Sequence, residues 1–439
     1  MDYKTSEVLE FIEENDVKFI KLAFCDIFGN QKNITIMPTE LKRAFYEGVS
    51  FDASAVTGFM KVEESDLLLF PEANTMYLLP WRPQHGRVVR FFCNIKHPDG
   101  RDFEGDCRNI LKEVIKDSKQ KGFTCKIGCE SEFYLFEQDE FGNPTMIPYD
   151  KGTYCDIYPN DRCENIRRDI CLSLEEMGIK PTSSHHEQGP GQNEIDYEYS
   201  NALSAADNLI SFRSLVKTKA SENGLFASFM PRPLETECGS GLHINISLYK
   251  DNKNIFEDKN DKQYKYAESF ISGILNRIEE ITLFLNSSTN SYKRLGKDKA
   301  PKYITWSKEN RSQLIRIPAS KGDRCRMELR SPDSSCNPYI AFALLIKAGI
   351  EGIEKNLQLC NPHNINLFNA NDNEVKNLKT LPDNLNEAIN NALNSEFIKT
   401  VLPQKTINNY IDDKKQEWDI YNSITDKFKA EKELYFEKF

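Results

Sequence analysis

The stretch Lys126-Ile127-Gly128-Cys129-Glu130-Ser131-Glu132-Phe133-Tyr134-Leu135-Phe136 decides how this chain is read. Its flanks read as a strand. Side chains of a strand alternate faces, so Glu130 and Glu132 share one face, roughly 7 Å apart along it. Phe133 and Leu135 take the other face. Two like charges held this way repel unless cations neutralise them. A solvated strand face is the competing reading of this motif alone.

Three further segments extend the pattern. In His185-His186-Glu187-Gln188-Gly189-Pro190-Gly191-Gln192-Asn193-Glu194 the Gly-Pro-Gly run favours a tight turn between two carboxylates. A loop followed by a strand could hold Glu187 and Glu194 at one ion. In Gly239-Ser240-Gly241-Leu242-His243-Ile244-Asn245-Ile246-Ser247-Leu248 the apolar residues alternate into a core. His243, Asn245 and Ser247 share the opposite face. A lone histidine is more often structural than a ligand, but the whole face of this one is polar. In Arg326-Met327-Glu328-Leu329-Arg330 the two apolar residues point inward and the charged ones point together the other way. Arg294, Arg311 and Arg316 lie upstream. A salt-bridged surface would also give this pattern. Arginines near carboxylates suit phosphate and carboxylate recognition, because the guanidinium fork binds either at two points.

Together these segments supply Glu130, Glu132, Glu187, Glu194, Glu328 and His243 as ligands for hard cations. Oxygen-rich ligation with a single histidine suits magnesium or manganese. The implied chemistry is phosphoryl transfer in which metals and arginines cancel charge. No Gly-x-x-x-x-Gly-Lys-Ser/Thr loop is present, so a nucleotide is not held by a P-loop.

Bulk properties narrow the class. At 439 residues the chain is long enough for two domains, and 39% hydrophobic residues suffice for a sizeable core. A net charge of −10 argues against a nucleic-acid-binding face. No signal peptide and no run of about 20 apolar residues is present, so no membrane association is expected. The twelve cysteines form no regular framework and read as reduced thiols in the cytoplasm. Cys125 and Cys129 lack a second pair at finger-like spacing, which argues against zinc.

Along the chain, Glu7 to Glu14 reads as a helix and Val17 to Phe24 as a strand. Gly29-Asn30 reads as a turn and Ile34 to Ile36 as the returning strand. Thr39 is the expected N-cap of a helix through Tyr46. Strands follow at Leu67 to Phe70 and Val88 to Ile95, and Pro98-Asp99-Gly100 closes a small α+β module. A helix starts near Asp106, which puts a domain boundary near residue 103. The remainder lacks the steady βαβ alternation of a doubly wound sheet. It shows helical stretches near Asn165 to Glu176, Ser204 to Glu222, Lys265 to Asn286 and Tyr339 to Gly352. The Asn-rich stretch from Asn364 to Asn373 reads as loop. The tail from Asn384 is largely helical and ends in Tyr435, Phe436 and Phe439.

At these residues the chain resembles the bacterial-type (class I) glutamine synthetases. The matching segments begin with Phe51-Asp52-Ala53-Ser54, Glu63-Glu64-Ser65-Asp66 and Glu130-Ser131-Glu132. They continue with His185-His186-Glu187, Gly191-Gln192-Asn193-Glu194 and Gly239-Ser240-Gly241-Leu242-His243. The last are Asn290-Ser291-Tyr292-Lys293-Arg294-Leu295, Asn310-Arg311-Ser312 and Arg326-Met327-Glu328-Leu329-Arg330-Ser331-Pro332-Asp333. Each motif is weak alone, but their joint order is specific.

The resemblance implies an α+β chain with an N-terminal β-grasp domain, residues 1–103. A larger catalytic α/β domain, residues 104–439, would carry a curved antiparallel sheet and a helical tail. It implies ligation of ammonia to the γ-carboxylate of glutamate through γ-glutamyl phosphate, with ATP as co-substrate. Glu132, Glu187 and Glu194 would hold one Mg²⁺ or Mn²⁺; Glu130, His243 and Glu328 would hold the other. Gly239, His243, Arg294 and Arg330 would line the substrate site. Arg311, Arg316 and Arg326 would stabilise the transferred phosphate, and Tyr199 and Ser247 would contact the nucleotide. Asp52 would help deprotonate ammonium. The family assembles as a dodecamer of two stacked hexameric rings with shared active sites. Its C-terminal helix plugs the opposite ring, which would give the aromatic tail a use.

Two departures stand out. Cys238 replaces the asparagine that usually precedes Gly-Ser-Gly. In the flap Arg294-Leu295-Gly296-Lys297-Asp298-Lys299-Ala300-Pro301, Lys299 stands where the family has a glutamate, and Asp298 is the candidate substitute. Asn377-Leu378-Lys379-Thr380-Leu381-Pro382 carries no tyrosine, so adenylylation is not expected. A relative that ligates a polyamine or alkylamine, and a catalytically silent member, are the alternative readings.

Overall fold

A computed structural model describes residues 4–82, 85–257 and 262–439. The N-terminal module runs α1 (Thr5–Glu14), β1 (Val17–Cys25), β2 (Gln31–Ile36), α2 (Pro38–Glu47), β3 (Val49–Asp52), β4 (Asp66–Pro71), β5 (Tyr77–Leu78) and β6 (Arg87–Lys96). The sheet order is β2-β1-β6-β4-β3, with β5 on β6. β1 and β6 run parallel, and their neighbours run antiparallel. This is a β-grasp arrangement, with α2 against the sheet through Leu41 and Ala44. Thr39 is not the cap of α2. Met37 takes that place and Pro38 follows it, because proline's fixed φ and missing N–H suit the first helical turn.

The larger part begins with α3 (Cys107–Gln120), capped by Asp106. It continues through β7 (Phe123–Gln138), β8 (Pro144–Pro148), α4 (Glu164–Glu176), β9 (Pro181–His186), β10 (Gln192–Tyr197), β11 (Ser200–Asn201), α5 (Ala202–Glu222), β12 (Leu225–Ser228), β13 (Leu242–Lys250) and β14 (Lys253–Asn254). Then come α6 (Tyr264–Leu285), α7 (Ser291–Arg294), β15 (Trp306–Lys308), β16 (Ile315–Ile317), β17 (Met327–Leu329) and α8 (Pro338–Glu354). The chain ends with α9 (Asp372–Val375), α10 (Leu385–Leu393), α11 (Glu396–Lys399), α12 (Gln404–Ser423) and α13 (Lys427–Tyr435).

The sheet follows the path β15-β16-β17-β13-β7-β10-β9, with β8, β11 and β12 also on β7. Apart from the parallel pair β15–β16 its ladders are antiparallel. β7 is the spine. Its Ile127, Cys129 and Phe133 point into the buried core that also takes in α5 and α8, while Glu130 and Glu132 face the other way. That polarity is the strand parity of the sequence made visible.

The aromatic tail packs against its own chain. Phe436 packs on Phe136 and Phe226 with centroids 5.1 and 5.0 Å away, and Tyr435 stacks on Phe439 at 5.6 Å. The Tyr435 hydroxyl donates to Glu417 and accepts from the Thr289 N–H. All twelve cysteines are free. No described helix is long and apolar enough to cross a membrane.

Candidate active site

Cross-strand register converts the sequence motifs into two carboxylate clusters. β13 against β7 puts His243 opposite Glu130; β17 against β13 puts Glu328 opposite Asn245. Ligand atoms of Glu130, His243 and Glu328 all lie within 4.8 Å of one another. The His243 Nδ1 stands 3.2 Å from Glu130 and 3.8 Å from Glu328. On the other side of β7, β10 puts Glu194 opposite Glu132 and Asp196 opposite Glu130. His185, Glu187 and Glu194 form the second cluster, again within 4.8 Å. Glu132 is oriented beside them by the Gly241 N–H at 2.9 Å and the Gln192 amide at 3.0 Å.

The clusters differ in their electrostatics. Burial pushes the Glu130 carboxyl up, but hydrogen bonds from His243 and Asn245 and the charges of His243 and Arg326 outweigh it and leave it at about 2. Glu328 is 1% exposed, and its burial is likewise outweighed by His243, Arg330 and Arg316, so it is held below its ordinary value. Arg316 donates to Glu328 at 2.6 Å, and Arg330 donates to its other oxygen. On the hairpin side the compensation is too weak to offset burial. Burial, then Glu132, then Asp196 raise Glu194 well above the carboxylate range. Burial and Glu132 raise Glu187 against the pull of His185 and Lys299. Burial and Glu130 raise Asp196, whose Oδ1 is buried without a partner. Clustered, desolvated carboxylates of this kind fit a hard divalent cation, which would supply the missing counter-charge.

Two cavities flank the Glu130 wall. One, of about 360 Å³, takes in the whole hairpin cluster, Glu130 and His243 of the other, and Gly239, Arg294, Arg311, Arg316, Arg326 and Arg330. The other, of about 800 Å³, is lined by Tyr199, Asn245, Ser247, Arg324 and Arg326. Glu130, Asp196 and Arg326 line both. Arg326 is aimed by its bond to Asn245 at 2.7 Å, and Arg294 by the carbonyls of Ser331 and Arg330 at 2.8 and 3.2 Å. Tyr199 and Ser247 therefore share a cavity, and Arg316 sits in the other. Asp52 joins neither. It is exposed at the end of β3, where its carboxylate accepts from the N–H and hydroxyl of Ser54.

The flap forms the mouth of the smaller cavity. Asp298 is engaged by Arg232 at 2.8 Å. The Lys299 ammonium lies 5.1 Å over the ring centre of Tyr154. Cys238 donates to the Gln188 side chain at 3.5 Å, and its carbonyl accepts from Tyr134.

Sequence reading missed His185, Asp196, Gln192 and Tyr154. Asp196 was legible, since it lies two residues beyond Glu194 and so shares its face. His185 needed the unread strand β9, which sets it opposite Glu194. Tyr154 sits in an irregular loop that carries no periodic signal.

With this geometry in view, the chain matches the glutamine synthetase catalytic domain over residues 104–433 and the glutamine synthetase β-grasp domain over residues 16–98. It belongs to the glutamine synthetase family, a family of ATP-dependent ligases. It is 45% identical over 426 residues to the glutamine synthetase of Clostridium saccharobutylicum, covering 96% of each chain. It is 44% identical to that of Methanosarcina mazei, covering 95% of each. Among solved structures it resembles a GmaS/ADP complex with a TM-score of 0.87 and 27% identity, over 99% of this chain and all of that one.

Proposed function

We propose that this protein uses ATP to join an amine to the γ-carboxylate of glutamate through γ-glutamyl phosphate. The observation that carries this is the pair of cavities meeting at Glu130, Asp196 and Arg326, with carboxylate clusters built from the strands on either side of β7. ATP would occupy the larger cavity against Tyr199 and Ser247, with its phosphates directed to Arg326, Arg316 and Arg311. Glutamate would occupy the smaller one, held by Arg294, Arg330 and Gly239. Glu130, His243 and Glu328 would hold one Mg²⁺ or Mn²⁺; Glu132, Glu187 and Glu194, with His185 beside them, would hold a second. Cations bound there would neutralise the phosphate oxygens during transfer.

A γ-carboxylate oxygen bonds to the γ-phosphorus as the bond to ADP breaks. The carboxylate oxygen is thereby turned into a good leaving group. The amine then bonds to the acyl carbon, sheds a proton, and phosphate departs with the original carboxylate oxygen. Arg311, Arg316 and Arg326 stabilise the charge that develops on the transferred group.

Within the family we read the chain as a bacterial-type member with an altered flap, divided near residue 103. Its assembly is a double-ring dodecamer in which Asp52 serves a neighbour's site; the exposure of Asp52 outside both cavities of its own chain supports this.

For the acceptor we infer a primary organic amine. Capture of ammonium needs a free carboxylate at the mouth. Here Asp298 is bound to Arg232, and Lys299 brings a cation, while Tyr154 offers an aromatic wall to an alkyl group. Ammonia is the second reading, supported by the 45% and 44% identical relatives. Phosphate release from ATP and glutamate, measured with ammonium and with a panel of alkylamines and diamines, separates them. Highest kcat/KM with ammonium would reject the organic amine, and no release with any amine would reject the function.

A further inference from the structure

Behind the Glu187 hairpin lies a buried group that the reaction does not touch. His186 is fully buried, and an acceptor faces each of its ring nitrogens. Nδ1 is 2.6 Å from the Glu187 carbonyl, and Nε2 is 2.9 Å from the Asp150 carboxylate. The same Asp150 oxygen accepts from the Gly191 N–H at 2.8 Å. Its other oxygen accepts from the Arg162 N–H at 2.9 Å and the Cys163 thiol at 3.2 Å. Asp150 thus grips both ends of the turn: Glu187 through His186, and Gly191 directly. Gly191 sits at φ +68°, in the left-handed region.

Asp150, His186 and Asp161 are close enough to suggest a metal centre of their own. Their hydrogen bonds argue against it. The ring nitrogens of His186 and both Asp150 oxygens are engaged, and Asp161 is paired to Arg167 at both of its oxygens.

We propose that Asp150 and His186 are a positioning pair that holds the Glu187 carboxylate in the cation-binding cluster. This rests on the functional reading above, in which Glu187 is a ligand. Outer partners of this kind raise affinity by fixing a ligand's direction, and losing one costs about 10–100-fold in metal affinity. Gly152 belongs to the device, because a Cβ there would meet the His186 ring at 2.8–3.1 Å.

The test uses full-length protein and Mn²⁺ alone, with free Mn²⁺ read by electron paramagnetic resonance. Asp150→Asn turns an amide NH₂ toward the Arg162 and Cys163 donors and should weaken Mn²⁺ binding by about tenfold or more. Gly152→Ala pushes the ring aside without removing any charge, and should act in the same direction. In both variants excess Mn²⁺ should restore kcat, which a general loss of structure would not allow. Unchanged Mn²⁺ affinity in both variants, beside a wild type that binds normally, overturns the positioning role alone. A wild type that binds no Mn²⁺ overturns the functional reading, and the positioning role with it.

Discussion

Replacing Glu194 by Gln should stabilise the metal-free protein while abolishing its response to metal. Glu194 is 7% exposed, and its ligand atom lies within 4.8 Å of that of Glu187. Two unit charges at that separation repel by about 3.5 kcal/mol at an effective dielectric of about 20. Burial and the neighbouring Glu132 and Asp196 already raise the Glu194 carboxyl, so part of this strain is relieved by protonation and the net gain is smaller. The sign follows from linkage. A carboxyl raised in the folded state binds more protons there than in the unfolded chain, so metal-free stability falls as pH rises from the ordinary carboxylate range through the folded value. Glu194→Gln removes that fall. At neutral pH in chelator its apparent melting midpoint should exceed the wild type's by a few degrees. With millimolar Mn²⁺ the wild type should gain several degrees by ligand linkage and the variant little. The assay is thermal unfolding at three pH values with chelator or with Mn²⁺. A variant that is less stable in chelator yet keeps the full Mn²⁺ shift would refute the reasoning.

Lys299→Glu should lower the KM for ammonium several-fold, whereas Asp298→Asn should leave it nearly unchanged, because Arg232 already holds Asp298; steady-state kinetics with varied ammonium decides this. Mixing inactive Asp52→Ala with inactive Glu328→Ala subunits should restore part of the activity if sites lie between subunits, and a stable active monomer on a sizing column would contradict it. Phe436→Ala removes a ring buried against Phe136 and Phe226 and should cost about 3–5 kcal/mol, seen as a lowered denaturant midpoint.

The chemistry-bearing faces were legible because strands enforce parity. Glu130 with Glu132, the His243-Asn245-Ser247 face and the Arg326-Glu328-Arg330 face all follow from alternation, and β7, β13 and β17 place them as the pattern requires. Helices α4, α5, α6 and α8 were legible in the sequence, whereas α7, at four residues, is too short to show a period. Register was not legible. Nothing local states that His185 stands opposite Glu194, or that Arg316 reaches Glu328, since both depend on which strands pair. The Asp298–Arg232 pair spans loops far apart in sequence, so a carboxylate that looked free proved engaged. The cap of α2 was misplaced because Thr39 drew attention from Pro38, whose backbone constraint sets the helix start.

The central claim is that the γ-carboxylate of glutamate is activated by phosphoryl transfer from ATP. Glutamate labelled with ¹⁸O in its γ-carboxylate tests it directly, with the isotopic content of the released phosphate read by mass spectrometry after turnover with ATP and the preferred amine. Passage through γ-glutamyl phosphate predicts one ¹⁸O carried from each glutamate into each phosphate. Phosphate free of label would contradict the account.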